Sequence, residues 1–239
     1  MNMSGDFSAA FQKFGATVAA AAIQQQDLFN ATLGPSDRWA DLEARTLTGA
    51  DGVLDGVSLL GSFSHVTGTW LWGWANPSFE QTDRAIAPTL RIREFGTQYG
   101  IIEFTTGELD LSKFPAPHQA ATTLAIAAGV VLGGHGTWST AINDGQGAVY
   151  LHVDDGKLPT AGFDPIATPR LLLAAVGAFP ADHRRVVRGY FKHFKIQYAD
   201  TPAAMTGQAP DGSTITVTFD SHGRLERTTV EPADDPAAD

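Results

Sequence analysis

Five basic side chains crowd one segment of an otherwise acidic chain, and their spacing points to recognition by charge. They are five of the chain's 16 Lys and Arg residues and fall within 12 positions: Arg184, Arg185, Arg188, Lys192 and Lys195. If the segment is helical, Arg184 and Arg188 share one face. Such a cluster could steer an anionic ligand or an acidic partner towards it. The competing interpretation is a solvated helix end that pairs with local carboxylates such as Asp182.

Glu103 and His135 are two further candidates for polar contact with a ligand. Glu103 interrupts the apolar segment 99–104, which the pattern predicts to be a strand. A buried carboxylate there would need a partner, and such groups cluster at functional sites; a sheet-edge position is the simpler interpretation. His135 lies in the glycine-rich segment 132–136. Phosphate-binding loops lead into a helix, whereas this segment follows a predicted helix, which is typical of a helix end and turn.

The sequence shows none of the familiar motifs of catalysis or cofactor binding. It has no cysteine, and none of its seven histidines makes a His-Glu-x-x-His or His-x-His pattern. A Walker loop, a dinucleotide fingerprint and a Gly-x-Ser-x-Gly elbow are also absent from the sequence. We therefore expect no metal and no cofactor, and we favour a protein that is not an enzyme. A Ser-His-Asp triad stays open, because such triads depend on geometry rather than on spacing.

Three tryptophans at alternate positions, Trp70, Trp72 and Trp74, predict a strand that presents all three indoles on one face. Together they could cover roughly 450–750 Å² of apolar surface, which is large for an exposed patch on a monomer. The favoured interpretation is a sheet face covered by a helix. The functional alternative is a partly open aromatic wall for a ligand or partner.

The elements that must position these residues predict an α+β fold. Two hairpins and several helices alternate, which favours mainly antiparallel sheets built from hairpins with helices packed on one face. We expect the glutamines at 24–26 on the solvated side of the first helix. The predicted helices span 6–33, 79–95 either kinked or starting late because of Pro88, 117–132, and 168–189 as one or two helices interrupted at Pro180. The predicted strands span 39–48, favoured over a short helix, then 55–63, 68–76, 99–104, 137–142, 148–153, 190–198, 214–220 and 224–230.

The domain organisation predicted from the sequence is one α+β domain over residues 1–230. An acidic tail at 231–239 has the composition of a disordered segment. The tripeptide Gly-Thr-Trp occurs at 68–70 and again at 136–138. It is compatible with two similar helix–hairpin halves, although chance turn chemistry explains three shared residues as well.

The segment Gly61-Ser-Phe-Ser64, followed by Gly68-Thr-Trp-Leu-Trp-Gly-Trp-Ala-Asn-Pro-Ser78, resembles an uncharacterised bacterial family of unknown function. That family carries a Gly-Thr-Trp-Leu-Trp-x-Trp-Ala-Asn core after a helix that contains glutamines. The order of later elements is also similar, so the resemblance extends over residues 7–230. It implies a single-family globular protein and carries no activity with it.

Charge and hydropathy exclude some classes of function. The net charge of −10 argues against general binding of nucleic acids, which requires a basic surface. The longest Ala-rich apolar run has about 13 residues, short of the roughly 20 that a membrane span needs. The first residues lack the basic segment of a signal peptide. We therefore expect a cytoplasmic protein.

Two functions compete. The favoured one is a non-catalytic bacterial binding protein, an inhibitor or immunity-type partner of another protein that is itself basic, since acidic proteins associate quickly with basic ones. The alternative is an enzyme or binder of an anionic small molecule, with a tryptophan-lined pocket between sheet and helices to which Glu103, His135 or Arg188 contributes polar contacts. A third hypothesis is a homo-oligomeric module that associates through the helix at 6–33.

Overall fold

The long first helix is present as α1 (Ala9–Leu33). It begins after Ser8, whose Oγ accepts a hydrogen bond from Phe11 N at 3.2 Å and so satisfies one of the free N–H groups at the helix start. It ends at Gly34, where φ is 64°, in the left-handed region that glycine adopts without a steric penalty. The helix therefore ends where its Gly-Pro segment predicts, and it begins at Ala9 rather than at the predicted residue 6.

The structure is a computed structural model and describes residues 5–133 and 135–233. The chain divides into two units, and α1 contributes residues to both. The units are residues 1–11 with 25–160, and residues 12–24 with 161–239.

In the first unit, the described residues form eight strands and three α-helices besides α1. The strands are β1 (Arg38–Asp41), β2 (Thr46–Gly49), β3 (Gly52–Leu54), β4 (Ser58–Ser64), β5 (Thr69–Trp72), β6 (Glu108–Asp110), β7 (Gly136–Ile142) and β8 (Gly147–Val153). The helices are α2 (Leu90–Tyr99), α3 (Ile102–Thr105) and α4 (Pro117–Leu132). Helix α4 has the predicted bounds, and α2 starts late, after a 3-10 turn that contains Pro88.

The strands of the first unit make two antiparallel sheets. One has the order β6-β5-β4-β8-β7, and the other has the order β1-β2-β3. Both predicted hairpins lie in the five-stranded sheet: β4 pairs with β5, and β7 pairs with β8. Strands β4 and β8 also pair, which joins the two hairpins. The two Gly-Thr-Trp segments are not equivalent, because Gly68 leads into the second arm of one hairpin and Gly136 begins the first arm of the other.

The predicted strand at 39–48 is two strands, β1 and β2, which pair as a hairpin. Leu47 on β2 is fully buried and joins an apolar cluster beneath this sheet. Other buried members come from α1, from the segments around β4 and β8, and from the chain before α2; they are Phe29, Leu33, Val57, Leu59, Ile86, Leu151, Val153 and Leu158. One face of the three-stranded sheet thus contributes to the core.

The described part of the second unit holds two helices and a four-stranded antiparallel sheet. The helices are α5 (Thr168–Ala178) and α6 (His183–His193), and the strands are β9 (Gln197–Asp200), β10 (Ala204–Gln208), β11 (Thr214–Phe219) and β12 (Leu225–Glu231). The strand order is β12-β11-β10-β9. The predicted break at Pro180 separates α5 from α6. The predicted strands at 214–220 and 224–230 are β11 and β12, which pair with each other. Strand β10 was not predicted.

Two segments predicted as strands are helical instead. The segment 99–104 begins at the last residue of α2 and includes most of α3, in which Phe104 is buried, as is Ile101 directly before the helix. The segment 190–198 begins inside α6, and β9 starts only at Gln197. Both errors have one cause: a short apolar run fits either period until its burial partners are known. The architecture of both units is nevertheless α+β, as predicted.

Candidate functional site

The tryptophan row divides between strand and turn. Trp70 and Trp72 lie on β5, are 0% exposed, and pack edge to face with ring centroids 5.1 Å apart. Trp74 is half-buried and lies in the 3-10 turn Gly73–Ala75, so the prediction of one strand carrying all three was wrong. Directly after the strand, Gly73 lies so close to the Leu59 carbonyl that an added Cβ would meet the oxygen at 2.2 Å, so a larger residue would not fit there. Trp70 and Trp72 are therefore core residues.

Glu103 is a fully buried carboxylate on α3. One oxygen accepts a hydrogen bond from Ser8 N, and the other accepts one from Ser8 Oγ at 2.7 Å. The backbone carbonyl of Glu103 accepts from Trp72 Nε1 at 2.8 Å. The structure thus brings together two of the predicted candidates, Trp72 and Glu103. Because a negative charge is stabilised at a helix start, this carboxylate serves to anchor the first turn of α1.

His135 lies directly before β7, beside a second histidine that the sequence did not single out. Its Nδ1 is 3.7 Å from Asp154 Oδ1. The neighbouring His152 on β8 is 3% exposed, and its Nε2 has no hydrogen-bond partner among the described residues. Burial lowers the pKa of His152 to about 4; the carboxylate of Asp154 opposes this shift, and the charges of His135, Arg91 and Arg45 reinforce it.

The free energy of unfolding of the first unit should fall by about 2 kcal/mol between pH 7 and pH 4.5 because of His152. In the unfolded chain the imidazole takes up a proton near its ordinary pKa of 6.5, whereas the folded chain resists protonation down to about 4. The contribution of His152 to stability is therefore fully present above its unfolded pKa of 6.5, and it is lost as the pH falls towards its folded pKa of about 4. Urea unfolding followed by tryptophan fluorescence measures it, since all five tryptophans lie in this unit.

His152→Leu is the matched variant, because leucine fills the site without a titratable group. It should remove most of the pH dependence within that range. If the free energy of unfolding of His152→Leu fell by as much as that of the wild type over this pH range, other groups would be responsible and the prediction would be wrong. Asp155 does not complicate the range, because its pKa is lowered from 3.8 and its contribution is lost only at more acidic pH.

The glutamines expected on the solvated side of α1 instead hold other segments in place. Gln24 is buried and donates to Gly162 O at 2.7 Å, within the second unit. In the first unit, Gln25 donates to His135 O at 2.8 Å. Gln26 both donates to Thr137 O and accepts from Thr137 N, each at 2.9 Å. The prediction was wrong because a glutamine amide can satisfy exposed backbone groups of a neighbouring segment, which periodicity does not reveal.

The basic cluster lies on and after α6, and its arginines are paired within the second unit. Arg184 contacts Asp200 at 2.5 Å, and Arg188 contacts the other oxygen of Asp200 at 2.8 Å. Arg185 pairs with Asp182 at 3.2 Å. Desolvation raises the pKa of Asp200, but the hydrogen bonds and the charges of the Arg184 and Arg188 guanidinium groups together outweigh it, so the pKa is lowered. The interpretation of local pairing with Asp182 fits Arg185, and the partner of the other two is a carboxylate on β9.

An open cleft of about 530 Å³ adjoins these arginines. Its walls include Arg184, Arg188, Asp200 and Asp220. Arg184 also donates to the backbone carbonyls of Thr201 and Pro202, so most of its hydrogen bonding is directed to its own unit. A second open cleft, of about 330 Å³, lies in the first unit beside His65 and His118.

The outer side of the three-stranded sheet carries the most exposed aromatic residue of the first unit, Trp39, which the sequence interpretation did not select. Trp39 on β1 is 62% exposed and lies opposite Thr48 on β2, which in turn lies opposite Val53 on β3, itself 47% exposed. Residues that pair directly across a sheet project on the same side. Trp39, Thr48 and Val53 therefore form a continuous outward row, here called the Trp39 face.

The sheet that carries the Trp39 face is held in place by contacts on its other side. Ala40, Leu47 and Leu54 project to the other side of the same sheet and pack in the apolar core. Arg38 alternates with Trp39, has a side chain only 4% exposed, donates to Leu33 O at the end of α1, and contacts Asp51 at 3.3 Å. The exposed indole is thus presented by a strand that is tied both to the core and to a helix end.

Sequence features could have indicated Trp39. In the segment Asp37-Arg-Trp-Ala-Asp41, carboxylates lie two positions before and two positions after the tryptophan. On an extended chain these three side chains project on the same side, and two charged neighbours indicate that this side faces solvent. The sequence interpretation selected Trp70, Trp72 and Trp74 because three indoles make a larger aromatic surface than one, but Trp70 and Trp72 are buried.

Within residues 5–133 and 135–233 there is neither a metal-binding cluster nor a helix suited to crossing a membrane. Nowhere in these ranges do three or more His, Cys, Asp or Glu side chains come together in a way that could hold a metal ion. No helix in the same ranges combines the length and the apolar character that crossing a membrane requires.

Comparison with known proteins identifies the family of this chain. No curated protein and no solved structure matches it. Residues 12–156 match a family of unknown function, DUF6882. This match covers more than half of the chain, including the hairpin with Trp70 and Trp72 and the three-stranded sheet with Trp39. The chain belongs to the DUF6882 family of unknown function.

Proposed function

We propose that this chain is a non-catalytic bacterial binding protein, an inhibitor or immunity-type partner that engages another, basic protein in the cytoplasm through the Trp39 face. The observation that carries the proposal is the 62% exposure of Trp39 on a sheet whose other side is packed in the core. Tryptophan is enriched among the residues that dominate binding energy at protein interfaces. A rigid strand holds it ready, so little conformational entropy is lost on binding.

The charge around the Trp39 face supports a basic partner. Residues 37–55 contain five carboxylates and two arginines. Arg38 pairs with Asp51, and Lys157 pairs with Asp55. Arg45 donates to Val57 O and Ser58 Oγ of its own unit. The outward charge of this region is therefore negative, as is that of the whole chain at −10. Complementary charge accelerates association with a basic protein and disfavours an acidic one.

The alternative, an enzyme or small-molecule binder with a tryptophan-lined pocket, has less support. Trp70 and Trp72 have no exposed surface to offer a ligand. Glu103 is engaged by Ser8, and Arg184 and Arg188 are engaged by Asp200. The cleft beside Arg188 is the place where an anionic small molecule would be sought first.

Trp39→Ala should weaken binding of the partner by at least about tenfold, as expected for an interfacial tryptophan. A tagged wild-type chain is used to isolate the partner from a lysate of the source organism at low salt, and the affinity of the purified partner is then measured by calorimetry. The fold should be retained, because substitutions of exposed residues change stability by only about 0.5 kcal/mol.

Tyr99→Ala is the matched control, since Tyr99 is 57% exposed on the same unit but lies at the end of α2. It should bind like the wild type. Equal affinities of the wild type and Trp39→Ala would exclude the Trp39 face as the interface. Failure to isolate any stoichiometric partner would count against the proposed function itself.

A further inference from the structure

Trp39 is framed by two carboxylates on its own strand. Asp37 immediately precedes β1 and Asp41 ends it, so the two-residue period of an extended chain places both on the same side as the indole. All three side chains are exposed, whereas the intervening Arg38 and Ala40 are partly buried. The chain therefore presents an aromatic surface between two negative charges.

This arrangement selects for a cation. The face of an indole attracts a guanidinium or ammonium group through its quadrupole, and tryptophan does so more strongly than the other aromatic residues. A carboxylate on either side adds Coulombic attraction and can accept hydrogen bonds from the same group. Among the natural cations, arginine fits best, because its planar group can stack on the ring while its edge N–H groups reach a carboxylate.

Other occupants of the Trp39 face fit less well. A second copy of this chain would bring Asp37 and Asp41 against their own counterparts, and like charges that meet across an interface are unfavourable. An anionic molecule would meet the same repulsion. The buried Arg38 does not offset it, because its guanidinium is turned towards Leu33 O and Asp51.

We infer that the partner presents an arginine side chain that stacks on Trp39 between Asp37 and Asp41. This inference rests on the proposed function, since it specifies the chemistry of the partner at the same face. In this contact Trp39 supplies the stacking surface, and Asp37 and Asp41 favour a partner that is positively charged at this position. A neutral or acidic protein with a similar shape would be rejected at this position.

The test is a titration of the full chain with a blocked tetra-arginine peptide, followed by the ¹H–¹⁵N signals of the indole N–H groups. The Trp39 signal, assigned from Trp39→Phe, should move and saturate, while those of the buried Trp70 and Trp72 should not. A blocked tetra-glutamate peptide should leave the Trp39 signal in place. Raising the salt concentration should weaken the effect, because exposed charges are screened.

The decisive variant is Asp37→Asn with Asp41→Asn, which keeps side-chain shape and removes both charges. It should weaken peptide binding by roughly fivefold, the effect of two exposed ion pairs. Asp144→Asn, in the turn between β7 and β8, is the control for net charge and should have little effect. Unchanged indole signals at the other four tryptophans show that the variant remains folded.

Three outcomes would overturn the inference: a Trp39 signal that does not respond to tetra-arginine, one that responds equally to tetra-glutamate, and peptide binding that is insensitive to the aspartate substitutions. The proposed function fails by a different result, namely a partner that binds Trp39→Ala as well as it binds the wild type. A partner that needs Trp39 but is indifferent to Asp37→Asn with Asp41→Asn would leave the function standing and contradict only the arginine contact.

Discussion

Replacement of Glu103 by alanine is expected to lower the free energy of unfolding of the first unit by about 3 kcal/mol. The substitution removes both acceptors of the Ser8 donors at the start of α1. It also empties a fully buried site. Hydrogen bonds to a charged group contribute about 1.5–3 kcal/mol, and the loss of buried volume adds to this. Urea unfolding followed by tryptophan fluorescence gives the value.

Two further variants separate this anchoring role from a role in binding. Glu103→Gln keeps the volume and one acceptor, so it should cost less than the alanine variant. Glu43→Ala removes an exposed carboxylate of the same unit and should change stability by only about 0.5 kcal/mol. If Glu103→Ala left stability unchanged and instead abolished binding of a partner, Glu103 would be a functional residue and the structural assignment would be wrong.

Gly189→Ala is expected to destabilise the second unit by about 3 kcal/mol. In this unit α6 passes so close to α1 that a Cβ on Gly189 would lie 1.9 Å from Thr17 O. The obstructing atom belongs to the backbone, so no side-chain rotation can relieve the overlap, and the helices must move apart. The second unit contains no tryptophan, so amide hydrogen exchange in α6 and β11 is the appropriate measurement.

Gly177→Ala on α5 is the matched control. No atom lies within 4 Å of the added Cβ. Alanine restricts the unfolded chain and favours a helix, so this variant should be more stable than the wild type by about 0.4–1 kcal/mol. Equal and small effects of the two substitutions would mean that the helices of this unit are not packed as closely as described.

Local chemistry made much of the secondary structure predictable. Gly34-Pro35 ends α1, Pro117 begins α4, and the Asn143-to-Gly147 turn joins β7 to β8, because each of these residue types favours one backbone conformation. Prediction failed where a short apolar run had no such signal. The segment around Ile101 to Phe104 is one example: only its contacts with Gly96 and with the start of α1 decide that it is helical.

The candidate site was harder to predict than the fold. Alternation indicated correctly that Trp70 and Trp72 share a face, but a period of two does not say which face is covered. Conversely, Trp39 lies in the segment 39–48, which was predicted as a strand without a functional role. It is the most exposed aromatic residue of its unit because Leu47 and Ala40 take the inner side of the sheet. Exposure depends on which element packs where, and that is settled by contacts distant in sequence.

The amino-acid sequence by itself determined the element types marked by glycine, proline and strict periodicity, the acidic charge, and the tryptophan motif in the part of the chain that matches DUF6882. Only the tertiary structure decided that Glu103 anchors a helix, that Gln25 and Gln26 hold β7, and that Arg184 and Arg188 of α6 are paired with Asp200. The physical reason is the same in each case. Backbone preferences act between neighbours, whereas the environment of a polar or aromatic side chain is made by residues 12 to more than 100 positions away.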